Sequence, residues 1–210
     1  MHEILVTLMG WVEAWGYWGV VILMAIESSI IPLPSEVVVP PAAIIAARDG
    51  ADMSFWGVVL AGGIGSYLGS VVMYALSYTL GRPFILRFGK YFFMPPRKVE
   101  AAEIFMRRYS TAGILFARFL PVERHLISTP AGLARVNFAM FSLVTFVGST
   151  IWCWVLALFG DKVGREHPGI LDSPETLIAA VKAESHLIVG GVLLLALLYA
   201  LMKYMTRERR

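Results

Sequence analysis

Long apolar runs, interrupted by proline, glycine and a few isolated charges, set the pattern of this chain. Phe55 to Leu80 and Phe138 to Phe159 contain no charged residue, and Leu187 to Met205 contains only Lys203. A helix needs about 20 apolar residues to cross the hydrocarbon of a bilayer, so transmembrane helices are expected over 55–81, 138–160 and 187–205. Two further stretches are apolar but broken. Residues 27–47 open with Glu27-Ser28-Ser29-Ile30-Ile31-Pro32-Leu33-Pro34-Ser35-Glu36 and continue in an apolar run too short to span. Residues 111–135 repeat the arrangement, with Pro121 and Pro130 interrupting two short apolar pieces. Proline removes an amide donor and restricts the residue before it, and irregular backbone at membrane depth persists only inside protein or beside a water-filled cavity. Both stretches are therefore expected to be re-entrant hairpins.

The remaining segments are polar or interfacial. Residues 1–26 carry Trp11, Trp15 and Trp18 at helical spacing with Glu13 among them, the pattern of an interfacial entry helix that turns deeper at Gly16. Residues 82–110 form a basic arm, and 161–186 a polar loop containing Pro168, Gly169 and Pro174. Residues 1–210 are expected to make a single membrane domain.

A shift of 83 positions superposes Phe55 on Phe138, Leu60 on Leu143, Gly65-Ser66 on Gly148-Ser149 and Gly81-Arg82 on Gly164-Arg165 without a gap. If residues 111–135 return to the face they leave, the helix at 138 runs opposite to the helix at 55. The expected fold is thus an all-α integral membrane protein, an inverted repeat of re-entrant helical hairpin plus transmembrane helix, with an extra C-terminal transmembrane helix. Seven lysines and arginines lie in the arm at 82–108 and four from Lys203 onward, against Arg48, Lys162, Arg165 and Lys182 on the other side. The positive-inside rule then makes the arm and the C-terminus cytoplasmic.

Composition agrees: the 210 residues are 58% hydrophobic and 16% charged, against roughly 45–50% and 25% in soluble domains, and the mean hydropathy is +0.70. The net charge of +3 fits anionic lipid headgroups rather than nucleic acid. The single Cys153 has no disulfide or metal partner within the chain, and His2, His167 and His186 lack ligand spacing, so neither a metal nor a cofactor is expected.

The chemistry concentrates in the two broken stretches. The first supplies Glu27 and Glu36; the second supplies Arg118, Arg124 and His125, with Arg135 read as an interfacial anchor. Ionisable groups within a membrane are costly unless paired and mark function by default. A guanidinium fork suits a phosphate, and an imidazole such as that of His125 is a side chain type able to relay protons. Supporting roles fall to Pro32, Pro34 and Pro121 as helix breakers, Glu123 as a local partner for Arg124, and Ser128 as a hydrogen-bonding group near Pro130. Gly65, Gly69 and Gly132 permit close approach.

Glu27…Pro32-x-Pro34-x-Glu36, Gly65-x-x-x-Gly69…Tyr74…Gly81-Arg82, and Arg118-Phe119-Leu120-Pro121-x-x-Arg124-His125-Leu126-Ile127-Ser128-x-Pro130-Ala131-Gly132 resemble the DedA membrane proteins, also called the VTT or SNARE-associated family, over residues 17–165. The departure is Val122-Glu123, where relatives carry a glycine and a small or apolar residue before the second arginine. The resemblance implies a multi-pass protein of the bacterial inner membrane and a lipid transporter rather than an enzyme. It implies a flippase for a phosphate-bearing lipid, undecaprenyl phosphate first and phosphatidylethanolamine or another phospholipid second, with protons as coupling ion. By resemblance the functional carboxylates are Glu27 and Glu36 and the functional arginines Arg118 and Arg124. Two readings of other classes stay open, a membrane enzyme acting on lipid phosphates and a proton-coupled ion or drug antiporter, as does homo-oligomerisation.

Overall fold

A computed structural model describes residues 2–29, 35–48, 50–88, 114, 115, 118, 124 and 127–166. The chain divides into two compact units, Met1–Pro168 and Gly169–Arg210, and every described residue belongs to the first. The basic arm beyond residue 88, the polar loop and the expected span over 187–205 lie outside the described residues, as do Pro32, Pro34, Pro121, Glu123 and His125.

The described residues are helical, with no strand among them. Helix α1 (His2–Trp15) meets α2 (Tyr17–Glu27) at Gly16, whose φ of 55° is open to glycine and strained for other residues. A short 3-10 turn, Ser35–Val37, leads into α3 (Val39–Ala46), which carries Pro40 and Pro41 in its first turn, where the missing amide donors have no intrahelical role. Helix α4 (Phe55–Phe88) is interrupted at Gly81 (φ 70°, ψ −174°), so its straight part is Phe55–Gly81. Helices α5 (Ser128–Leu133) and α6 (Phe138–Glu166) complete the set. Between these two, Arg135 adopts a φ of 52° and lays its guanidinium 5.3 Å from the centre of the Tyr78 ring.

Phe55–Gly81 and Phe138–Glu166 are each long and apolar enough to cross a bilayer, in agreement with the sequence pattern. Their outward faces explain the composition. Along α4 the residues Trp56, Leu60, Ile64, Leu68, Val72, Leu76 and Leu80, four apart, are all exposed, which makes an apolar ridge suited to lipid rather than water. Trp11, Trp15 and Trp18 are also exposed, the first two stacked at 6.1 Å.

The inward faces of α4 and α6 carry the small and hydroxylated residues. Helix α2 packs along α4, which packs on α6; α3 packs on α6, and α5 on α4. These approaches are close because glycines line them. A Cβ at Gly65 would strike the Val21 carbonyl, and one at Gly69 the Ala25 carbonyl, so α2 lies against the α4 backbone. Gly132 on α5 meets the Tyr74 carbonyl in the same way, and Gly160 on α6 meets that of Pro40. Tyr74, Ile114, Ile127, Ala131 and Phe141 form a buried apolar cluster, with Tyr74 and Phe141 stacked at 4.5 Å and the Tyr74 hydroxyl donating to the Val136 carbonyl at 2.6 Å.

Candidate functional site

Glu27 is the last residue of α2, and its side chain is 1% exposed. The α2 axis carries it into the groove that Gly65 and Gly69 open on α4, because these glycines let α2 sink against its neighbour. Arg124 meets it there: the guanidinium Nη2 donates to Glu27 Oε1 in a buried ion pair. Two ions removed from water need each other and further polar contacts to be tolerated. The surroundings provide them. Ser35 lies beside the Glu27 carboxylate, its hydroxyl accepts from the Trp152 indole Nε1–H at 3.2 Å, and the Arg124 guanidinium lies 5.5 Å from the centre of the Trp152 ring. Trp152 therefore touches both sides of the pair, the cation through its π face and the carboxylate through Ser35. Glu36, half-buried on the 3-10 turn, is within electrostatic reach of Glu27.

Arg118 occupies a different environment. It is 3% exposed, and its stem passes Gly148 on α6, where an added Cβ would lie 3.1 Å from Arg118 Cβ. Its Nη1 donates to Ser70 Oγ at 2.8 Å, and its Nη2 to Ser128 Oγ at 3.0 Å and Thr145 Oγ1 at 3.2 Å. Ser128, which the sequence assigned to the backbone near Pro130, thus faces Arg118. A second run of hydroxyls, Ser28 to Ser66 at 2.8 Å and Ser66 to Ser149 at 3.2 Å, crosses from α2 through α4 to α6.

The structure thus gathers Glu27, Glu36, Arg118, Arg124 and Ser128, with Gly65 and Gly69 seating the helix that carries Glu27 and Gly132 the helix that carries Ser128. Sequence reasoning gave no site role to Ser35, Ser70, Thr145 and Trp152. A signal was present for two of these: Ser66 and Ser70, and Thr145 and Ser149, are hydroxyl pairs four residues apart on otherwise apolar spans, which places each pair on one helix face. Trp152 and Ser35 were not legible, because their roles arise from a contact across 117 residues. Cys153 is buried against Gly62, consistent with packing. Among the described residues no group of three or more His, Cys, Asp or Glu side chains is placed to hold a metal ion.

The family description VTT domain matches residues 33–162. The chain is 34% identical over 199 residues to membrane protein YkoX of Bacillus subtilis, covering 93% of this chain and 84% of that one. It is 32% identical over 189 residues to an alkaline phosphatase-like protein of Lactococcus lactis subsp. cremoris, covering 86% of each. It is 29% identical over 166 residues to undecaprenyl phosphate transporter A of Bacillus subtilis, covering 79% of this chain and 81% of the relative. No solved structure matches.

Proposed function

Because the chain belongs to the VTT-domain family of membrane proteins, also called DedA, we propose that it is a lipid transporter that moves a phosphate-bearing lipid, undecaprenyl phosphate first, across the bacterial inner membrane. The observation that carries the reading is the pair of buried guanidinium groups, Arg118 and Arg124, set beside the buried Glu27 between two apolar helices. Intramembrane charges are retained where they act, and a planar guanidinium matches a phosphate. The relative named undecaprenyl phosphate transporter A supports that substrate.

In this proposal the protein is an inverted repeat of two re-entrant hairpins, each followed by a span, with the basic arm and the C-terminus cytoplasmic. Glu27 holds Arg124 at rest. A proton reaching Glu27, directly or by way of Glu36, cancels the charge that retains Arg124 and frees the guanidinium for the lipid phosphate. Loss of the proton restores the ion pair and expels the phosphate. The proton gradient then drives the cycle.

Reconstitution into proteoliposomes tests this, with undecaprenyl phosphate and phosphatidylethanolamine as alternative cargoes. Arg124→Ala and Glu27→Gln are each expected to abolish flipping of the preferred lipid while the protein remains folded, and an imposed proton gradient to accelerate the parent. Unchanged flipping in both variants overturns the mechanism. The alkaline phosphatase-like relative motivates a parallel assay: release of inorganic phosphate from the lipid, abolished by Arg124→Ala, would replace transport by hydrolysis.

A further inference from the structure

Arg118 and Arg124 are both buried, yet their partners differ in kind. Arg124 faces a carboxylate. Arg118 faces three hydroxyls, Ser70, Ser128 and Thr145, contributed by α4, α5 and α6, and no carboxylate among the described residues hydrogen-bonds it. The acceptor role of Ser70 is fixed, because its own hydroxyl hydrogen goes to the Ser66 carbonyl at 2.7 Å. Hydroxyls supply lone pairs but no charge, so this collar satisfies geometry and leaves the positive charge of Arg118 in place. Glu27 and Arg124 both lie within electrostatic reach of Arg118 and act on it with opposite signs, Arg124 the more strongly.

Of the five N–H groups that a guanidinium carries, the collar takes three; the buried Nε–H has no acceptor, and a buried donor left unmade is costly. A standing charge and an open donor on one rigidly held side chain are the complement of an anionic oxygen.

We propose that Arg118, held by the hydroxyl collar of Ser70, Ser128 and Thr145, is an anion subsite for a phosphate group, separate from the Arg124–Glu27 pair. Resting on the transport reading, this divides the work of the two arginines. Arg118 is available without any protonation event and binds the phosphate first; Arg124 becomes available only when Glu27 lets go. The collar residues are positioning residues: they hold both terminal nitrogens so that the Nε edge points consistently at one place. Specificity follows. An uncharged lipid alcohol gains only an ion–dipole hydrogen bond from such a site, and a phosphate gains a charge-assisted hydrogen bond and the attraction of opposite charges as well.

The test is equilibrium binding to the purified, detergent-solubilised chain, with undecaprenyl phosphate, inorganic phosphate and undecaprenol as probes. Undecaprenyl phosphate is expected to bind at least tenfold more tightly than undecaprenol. Thr145→Val, which keeps shape and removes one acceptor, should weaken phosphate-probe binding about tenfold, the size expected for a hydrogen bond to a charged group. Thr145→Ser should restore it, Arg118→Lys should lose it, and Thr79→Val on the exposed face of α4 should leave it unchanged. Competition by inorganic phosphate identifies the free anion as a ligand of the same subsite; its absence assigns the subsite to the lipid headgroup. Equal affinity for undecaprenol, or Thr145→Val binding at parental affinity, overturns the proposal. A chain that binds as expected but flips no lipid keeps the subsite and loses the transport reading. One that flips lipid with Thr145→Val affinity unchanged keeps transport and loses the subsite.

Discussion

The hydroxyl of Ser66 on α4 donates to that of Ser149 on α6 at 3.2 Å, and these are positions that a shift of 83 residues superposes. Contact between equivalent positions is what a two-fold relation produces at its axis. The neighbouring contacts exchange under the same shift: Gly63 against Thr150 becomes Phe146 against Tyr67, whose rings lie 6.1 Å apart, and Gly62 against Cys153 becomes Thr145 opposite Ser70, joined through Arg118. These exchanges support the inverted-repeat proposal. They lead to a chemical test. With Cys153 replaced by alanine, Ser66→Cys and Ser149→Cys together should form an intramolecular disulfide on mild oxidation, since the two side chains point at one another and touch. A pair that stays reduced, as judged by thiol labelling, would separate the two helices at this point.

The buried ion pair has a signature in stability. Arg124→Ala leaves Glu27 buried without this cation, which should cost about 3–5 kcal/mol, whereas removing both charges relieves the penalty. The double variant Glu27→Gln with Arg124→Gln is therefore expected to unfold at a higher temperature than Arg124→Ala in the same detergent. A double variant no more stable than the single one would contradict the pairing of these two side chains.

Helix α2 reaches its position only because α4 is smooth beneath it. Gly65→Val and Gly69→Val each place a branched side chain against a backbone carbonyl of α2, a clash that a flexible neighbour cannot absorb. Overpacking of this kind costs about 1–3 kcal/mol, and here it also displaces Glu27 from Arg124. Reduced thermal stability together with lost transport is the expected outcome for both. Leu68→Val, on the exposed ridge one residue before Gly69, should leave both properties intact.

The sequence carried the helical class and the two long spans directly, because unbroken apolar runs such as 55–80 and 138–159 allow little else in a membrane. It also singled out Glu27, Arg118 and Arg124, since charge inside an apolar run is conspicuous. It did not carry the pairing. Glu27, Glu36 and the neighbouring Glu123 were all open as partners for Arg124, and the structure pairs it with Glu27, at a depth that α2 reaches by settling against the α4 glycines. Nor did it distinguish the two arginines, since the hydroxyls around Arg118 come from three helices far apart in sequence. Serine and threonine in an apolar span read as packing residues until a cation is placed against them.

Trp152 connects the cation to the anion, and its two contacts can be separated by substitution. Trp152→Phe keeps an aromatic face for the Arg124 guanidinium but removes the indole N–H that Ser35 accepts. Ser35 then loses one anchor while it still lies beside Glu27, a change worth about 0.5–1.5 kcal/mol for a neutral hydrogen bond, or a several-fold loss of transport rate. Trp152→Leu removes both contacts and should add the cation–π share, up to about 2 kcal/mol for a desolvated pair, so its rate should fall well below that of the phenylalanine variant. Proteoliposome flipping measured across parent, Trp152→Phe and Trp152→Leu gives this order if the indole orients Arg124 toward Glu27. Equal rates in the two variants would confine Trp152 to its bond with Ser35, and a phenylalanine variant as fast as the parent would remove that bond from the mechanism.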